Sequence, residues 1–101
     1  MLSFVFIIRS EVIQPEKARA PQYRENGVLF SFESKDAVRV YLAASFNNWA
    51  LNRDGRVTNR EFLMQRSGSG VWFKKVTLKP GTYAYKFVAD DGRGNYQWSA
   101  D

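Results

Sequence analysis

The sequence predicts an all-β fold, an immunoglobulin-like β-sandwich of about seven antiparallel strands. Three observations lead there. Nearly every apolar run is short, rich in β-branched and aromatic residues, and bounded by turn formers. No long helix interrupts these runs. The 101 residues match one compact domain, and their 45% hydrophobic content supplies a core that a disordered chain would lack. A small closed barrel is the alternative architecture.

Taken in order, the first run covers residues 2–12. Its apolar part, LSFVFII, is too short to span a bilayer and has no basic residues before it, so it reads as a strand of a cytoplasmic protein without a membrane partner. Residues 14–26, QPEKARAPQYREN, read as a connection because they carry Pro15 and Pro21 and show no helical stripe. Strands are then expected at 27–33, 38–44, 62–65, 71–78, 82–89 and 96–99. This divides the chain into an N-terminal strand and linker (1–26) and the sandwich proper (27–101). In GTYAYKFVAD, Tyr83, Tyr85 and Phe87 share one parity and should face the core. Lys86 then stands on the outer face among small residues. Tyr41 and Trp72 are further core candidates.

Composition narrows the chemistry. Cysteine and histidine are both absent, which removes disulfides, thiol nucleophiles, thiolate metal sites and the usual general base near neutral pH. The neighbouring carboxylates Asp90 and Asp91 diverge in a strand or turn instead of flanking one bond, so they read as turn openers. The chain is therefore expected not to be an enzyme and to need no cofactor. A formal charge of +5 permits weak attraction to polyanions without demanding it, so no nucleic-acid partner is expected.

The stretch SFNNWALNRDGRVTNREF (45–62) admits two readings. With Ala50 as position 1 of a calcium loop, Asn52, Asp54, Gly55, Thr58 and Glu61 fall at positions 3, 5, 6, 9 and 12. Yet Ala50 has no side-chain oxygen, strands flank the segment, and Arg53, Arg56 and Arg60 would repel a cation. The segment is better read as a hairpin turned by Asp54-Gly55, a dipeptide suited to the positive φ angles of a type I′ turn, with no metal. In its first half, Asn47 and Asn48 tolerate left-handed backbone angles and can bond their own chain, so they reverse it tightly and put Trp49 on show. The competing role for Trp49 is an aromatic lid over the end of the sandwich.

Here the chain resembles a family. The pieces VYLAASFNNW, LMQRSGSGVWFKKVTLKPGTYAYKFVADDG and WSAD occur in the order found in the glycogen-binding domain of the AMP-activated protein kinase β-subunit. That domain belongs with the family-48 carbohydrate-binding modules, which include the N-terminal domains of isoamylases. The resemblance implies an early-set immunoglobulin-like sandwich that binds α-1,4-linked glucan, as polysaccharide or maltooligosaccharide, without catalysis. It also implies that Trp49 and Trp98 stack on glucose rings and that Lys86 hydrogen-bonds sugar hydroxyls.

The chain departs from that pattern in three places. An insertion, LNRDGRVTNREF, lies next to Trp49, where it could shield the site or extend it. The approach to Trp98 is long and carries Tyr96 in the same parity, so Tyr96 could reinforce the stacking. The chain stops at Asp101 where relatives continue, which leaves a sheet edge for the N-terminal strand to fill in its own chain or a neighbour's, unless the chain is a fragment. The alternative function is a structural or interaction domain, associated with a glucan-active enzyme or kinase complex, that binds no sugar of its own.

Overall fold

The computed structural model describes residues 15–24 and 27–100. Over these residues the chain forms strands β1 (Gln22–Arg24), β2 (Gly27–Glu33), β3 (Arg39–Ala44), β4 (Gln65–Arg66), β5 (Val71–Val76), β6 (Tyr85–Asp90) and β7 (Tyr96–Ser99). They pair antiparallel in two sheets, one ordered β1-β2-β5-β4 and the other β3-β6-β7. The only helical pieces among the described residues are three short 3-10 turns. The expected all-β sandwich of two antiparallel sheets is therefore what the described residues build.

The sheets face each other across a core of Phe30, Val40, Leu42, Met64, Trp72 and Phe87. Period-two alternation puts them there: β2 pairs with β5 so that Phe32 lies opposite Trp72, and β3 pairs with β6 so that Leu42 lies opposite Phe87. Aromatic rings interlock across the gap. Phe32 stacks on Phe87 at 4.7 Å between centroids, and Tyr85 meets Phe30 edge-on at 5.2 Å. Trp72 is buried as expected, its Nε1–H donating to the Ser34 carbonyl at 2.9 Å while the Arg66 guanidinium lies over its ring.

Several boundaries differ from the sequence reading. Within the expected connection, residues 22–24 form β1, because an edge strand needs a partner on one side only and Tyr23 can stay 75% exposed there. The expected strand at 62–65 is instead a change of sheet. A 3-10 turn at Arg60–Phe62 is capped by Asn59, whose Oδ1 accepts from the Glu61 N–H at 2.9 Å. Leu63 then bridges to Tyr41, and the Met64 N–H donates to the Val40 carbonyl at 2.8 Å, both on the β3 edge. One residue later the chain pairs with β5 in the other sheet as β4. Strand β6 starts at Tyr85, since the preceding residues are held in a loop by Tyr83 Oη donating to the Lys79 carbonyl at 2.6 Å. The strand expected at 2–12 lies outside the described residues.

A second apolar cluster lies on the outer face of the β3-β6-β7 sheet. Tyr41, Ala43 and Val88 point away from the sandwich, yet they are at most 3% exposed, because Ala50 and Val57 of the 50–62 segment cover them. Tyr41 is thus buried as expected, but in this outer cluster, where desolvation pushes its hydroxyl pKa up and the Arg39 guanidinium opposes the rise. Trp49, Phe62, Leu63, Tyr96 and Trp98 pack around the rim.

Asp90 and Asp91 open the β6–β7 turn, as the sequence predicts. Asp90 Oδ1 accepts from the Gly92 N–H at 2.8 Å, and its Oδ2 pairs with Arg39 at 3.0 Å. The Asp91 carboxylate accepts from Asn95 Nδ2 and from the Arg93 N–H, both at 2.7 Å. These bonds, the Asn95 side chain first, hold its pKa below the usual carboxylate value.

Candidate functional site

The outer cluster carries the site. Strand β3 ends at Ala44, and a 3-10 turn over Ser45–Asn47 reverses the chain. Asn47 organises the reversal. Its Oδ1 accepts from the N–H groups of Ala44 and Ala50, each at 2.8 Å, while its Nδ2 donates to the Leu42 carbonyl at 2.9 Å. The expected left-handed backbone is present at Asn48, with φ at 53°, but it does not stop there. Trp49, Ala50 and Leu51 follow at 54°, 58° and 52°. Four consecutive non-glycine residues in this region carry a cost of roughly 1–2 kcal/mol for each ordinary L-residue. The Asn47 clasp and the burial of Ala50 oppose that cost.

Next comes the hairpin. Arg53 and Arg56 exchange backbone hydrogen bonds at 3.0 Å in both directions around Asp54 and Gly55, whose φ angles are 52° and 84°. This is the expected type I′ turn. Ala50, first residue of the calcium-like spacing, is 1% exposed, and the Asn52 Oδ1 of that spacing accepts from the Gly55 N–H at 3.1 Å. Those atoms serve the local fold.

The sequence singles out Trp49, Lys86, Trp98 and Tyr96. Trp98 sits on β7 opposite Val88, and Lys86 on β6 opposite Ala43, so both side chains belong to the outer face of one sheet. Both indoles are half-buried, their inner edges packed on the outer cluster, whereas Lys86 is exposed. Trp49, Lys86 and Trp98 line one open depression of about 460 Å³, together with Asn52 and Gly55. Tyr96 lies two residues from Trp98 on the same face, packs against the cluster, and is outside the lining.

Sequence reasoning meets Asn52 and Gly55 only in the calcium-like spacing and the Asp54-Gly55 turn and does not place them beside the tryptophans. Asn52 offers one signal, an Asx side chain close before an Asp-Gly turn, where such residues bond neighbouring backbone. Gly55 is legible as a turn former only. Its carbonyl accepts a hydrogen bond from Trp98 Nε1–H at 2.7 Å, a contact across 43 residues of sequence that no local pattern announces.

Chemically, the depression offers two partly covered aromatic rings, one solvated ammonium and no carboxylate in its lining. Apolar C–H faces can lie on the indoles while hydroxyl oxygens accept from Lys86 Nζ. The Trp98 indole N–H is already committed to Gly55, so its contribution to the lining is the apolar surface of the ring.

No family model matches the chain, and neither does any curated protein sequence. Among solved structures, the chain is similar to pullulanase type I from Bacillus subtilis str. 168, solved in complex with maltose. The TM-score is 0.58 at 20% identity, over 87% of this chain and 11% of the pullulanase chain. This likeness is one of fold, and the chain spans about a ninth of that enzyme's length.

Proposed function

We propose that this domain is a non-catalytic carbohydrate-binding module that holds α-1,4-linked glucan, as glycogen- or starch-like polymer or as maltooligosaccharide, on the Trp49–Trp98 platform. The observation that carries the reading is the convergence on one open depression of both indoles and Lys86, with Lys86 and Trp98 distant from Trp49 in sequence. A pyranose has a face of C–H groups, and covering it with an indole removes both from water. At ~25 cal/mol per Å², one stacked ring gains on the order of 1–2 kcal/mol. Lys86 adds donors for hydroxyls, and a polymer adds repeated contacts that raise the apparent affinity. Tyr96 enters with a smaller share, at the far end of the same face. Further support comes from the fold neighbour, a pullulanase crystallised with maltose.

The test is electrophoresis in glycogen-containing gel, with maltoheptaose titrated against tryptophan fluorescence. The native chain should be retarded, and Trp49→Ala and Trp98→Ala should each remove most of the retardation. Free migration of the native chain, with unchanged fluorescence at millimolar maltoheptaose, would leave the interaction-domain reading in its place.

A further inference from the structure

The 52–56 hairpin stands between the two indoles and touches the backbone or ring of each. Asn52 Nδ2 donates to the Trp49 carbonyl at 3.1 Å, and the Asn52 backbone N–H reaches the same oxygen at 3.2 Å. On its other side, Asn52 Oδ1 accepts from the Gly55 N–H at 3.1 Å. The Gly55 carbonyl then accepts from Trp98 Nε1–H at 2.7 Å. One continuous line of bonds therefore runs from Trp49 through Asn52 and Gly55 to Trp98.

We infer that this hairpin is a splint that sets the separation of the two tryptophans, with Asn52 as its positioning residue and the Gly55 carbonyl as the anchor for Trp98. Two further observations fit that role. The hairpin is fixed at its base by Ala50 and Val57, each 1% exposed in the outer cluster, so the splint rests on a packed support. The residue at the Trp98 contact is a glycine with φ at 84°, and a Cβ built there would lie 3.6 Å from Trp98 Nε1. The backbone approaches the indole edge closely without a side chain rising into the depression.

For a ligand the consequence is preorganisation. The Trp49 segment is a left-handed turn with intrinsic alternatives, and Trp98 belongs to an edge strand among the described residues. Without the splint, each indole would keep its packing on the outer cluster but lose a fixed position relative to the other, and restoring that position when sugar arrives would be subtracted from affinity. The inference rests on the glucan reading for the identity of the ligand, while the bonds themselves can be tested without sugar.

The experiment follows hydrogen exchange at the tryptophan indole N–H groups by NMR, alongside maltoheptaose titration. The Trp72 indole, bonded to Ser34 in the inter-sheet core, is the internal control for global opening. In Asn52→Ala the Trp98 indole should exchange at least about tenfold faster, as expected when a supporting hydrogen bond is lost, with Trp72 unchanged. Maltoheptaose affinity should fall by about the same factor. Trp98→Phe keeps an aromatic ring, smaller than the indole, but cannot bond Gly55, and should also weaken binding. Combining the two changes should cost less than the product of their separate effects, because both cut one line. Unchanged Trp98 exchange and unchanged affinity in Asn52→Ala would overturn the splint. Should Asn52→Ala open the whole fold, exposing Trp72 as well, native-like sugar binding by Trp98→Phe would overturn it. A native chain that ignores maltoheptaose sinks the glucan reading alone, and the exchange measurement still decides the splint.

Discussion

The molecule has two apolar clusters that share a sheet and are built by different means. The inner one is assembled by alternation: Phe30, Leu42, Trp72 and Phe87 face inward because strand residues two apart share a side. The outer one is assembled by a loop. Ala50 and Val57 reach the sheet only because a left-handed turn and a type I′ hairpin, tied by asparagine side chains, fold the 50–62 segment back over Tyr41, Ala43 and Val88. The inner cluster gains from area and interlocked rings, whereas the outer one depends on a few polar bonds being made. Stability is thus lodged mainly between the sheets, and the geometry of the candidate site mainly outside them.

That division can be broken by substitution. The largest effect is expected from Phe87→Ala, which removes a side chain with no exposed area and should cost about 3–5 kcal/mol, enough to unfold much of a marginal domain in a urea or thermal melt. A loss under about 1 kcal/mol would mean that the inner cluster is not where stability resides. Asn47→Ala comes next. It leaves the Leu42 carbonyl and the Ala44 and Ala50 N–H groups without their partner, at about 1–3 kcal/mol, and should perturb the near-UV dichroism of the tryptophans more than the far-UV strand signal. Equal loss of both signals would show that the two clusters melt as one.

The smallest effect belongs to Asp91, exposed in the β6–β7 turn and part of neither cluster. Its folded-state pKa lies below the ordinary value of 3.8, so the unfolded chain takes up the proton first as pH falls. The stabilisation is present above that value and is lost as pH falls through the lower folded pKa. Asp91→Asn should therefore flatten the acid end of the stability–pH profile below about pH 4 and leave ligand binding at pH 7 unchanged. An acid limb identical to the native one would mean that Asp91 contributes nothing to it.

How much is legible in the sequence follows the same division. The inner residues of β2, β3, β5 and β6 are readable because a period of two is a local property of sequence. Trp49, Lys86 and Trp98 are readable as well, Lys86 from parity and the two indoles through motif resemblance. The outer cluster is not. Val57 falls at position 8 of the calcium-like spacing, between Gly55 at 6 and Thr58 at 9, and Tyr41 looks like an ordinary core residue, since the burial of both depends on where a loop lands. The left-handed run through Trp49, Ala50 and Leu51 is equally hidden, because propensity argues against each residue singly and it takes the Asn47 bonds and the burial of Ala50 to tip the balance toward it. The sheet change at 63–66 escapes for a related reason: a short apolar run gives the strand but not the partner.

That crossing gives the sandwich the plan of a book. Leu63 to Arg66 is the spine, joining the cover made by β3, β6 and β7 to the one made by β1, β2, β4 and β5, while β1 and β7 are the fore-edges. Lys86, Trp98 and the turn that carries Trp49 all ride on the outside of a single cover. All three are therefore held by one sheet and the loop that covers it.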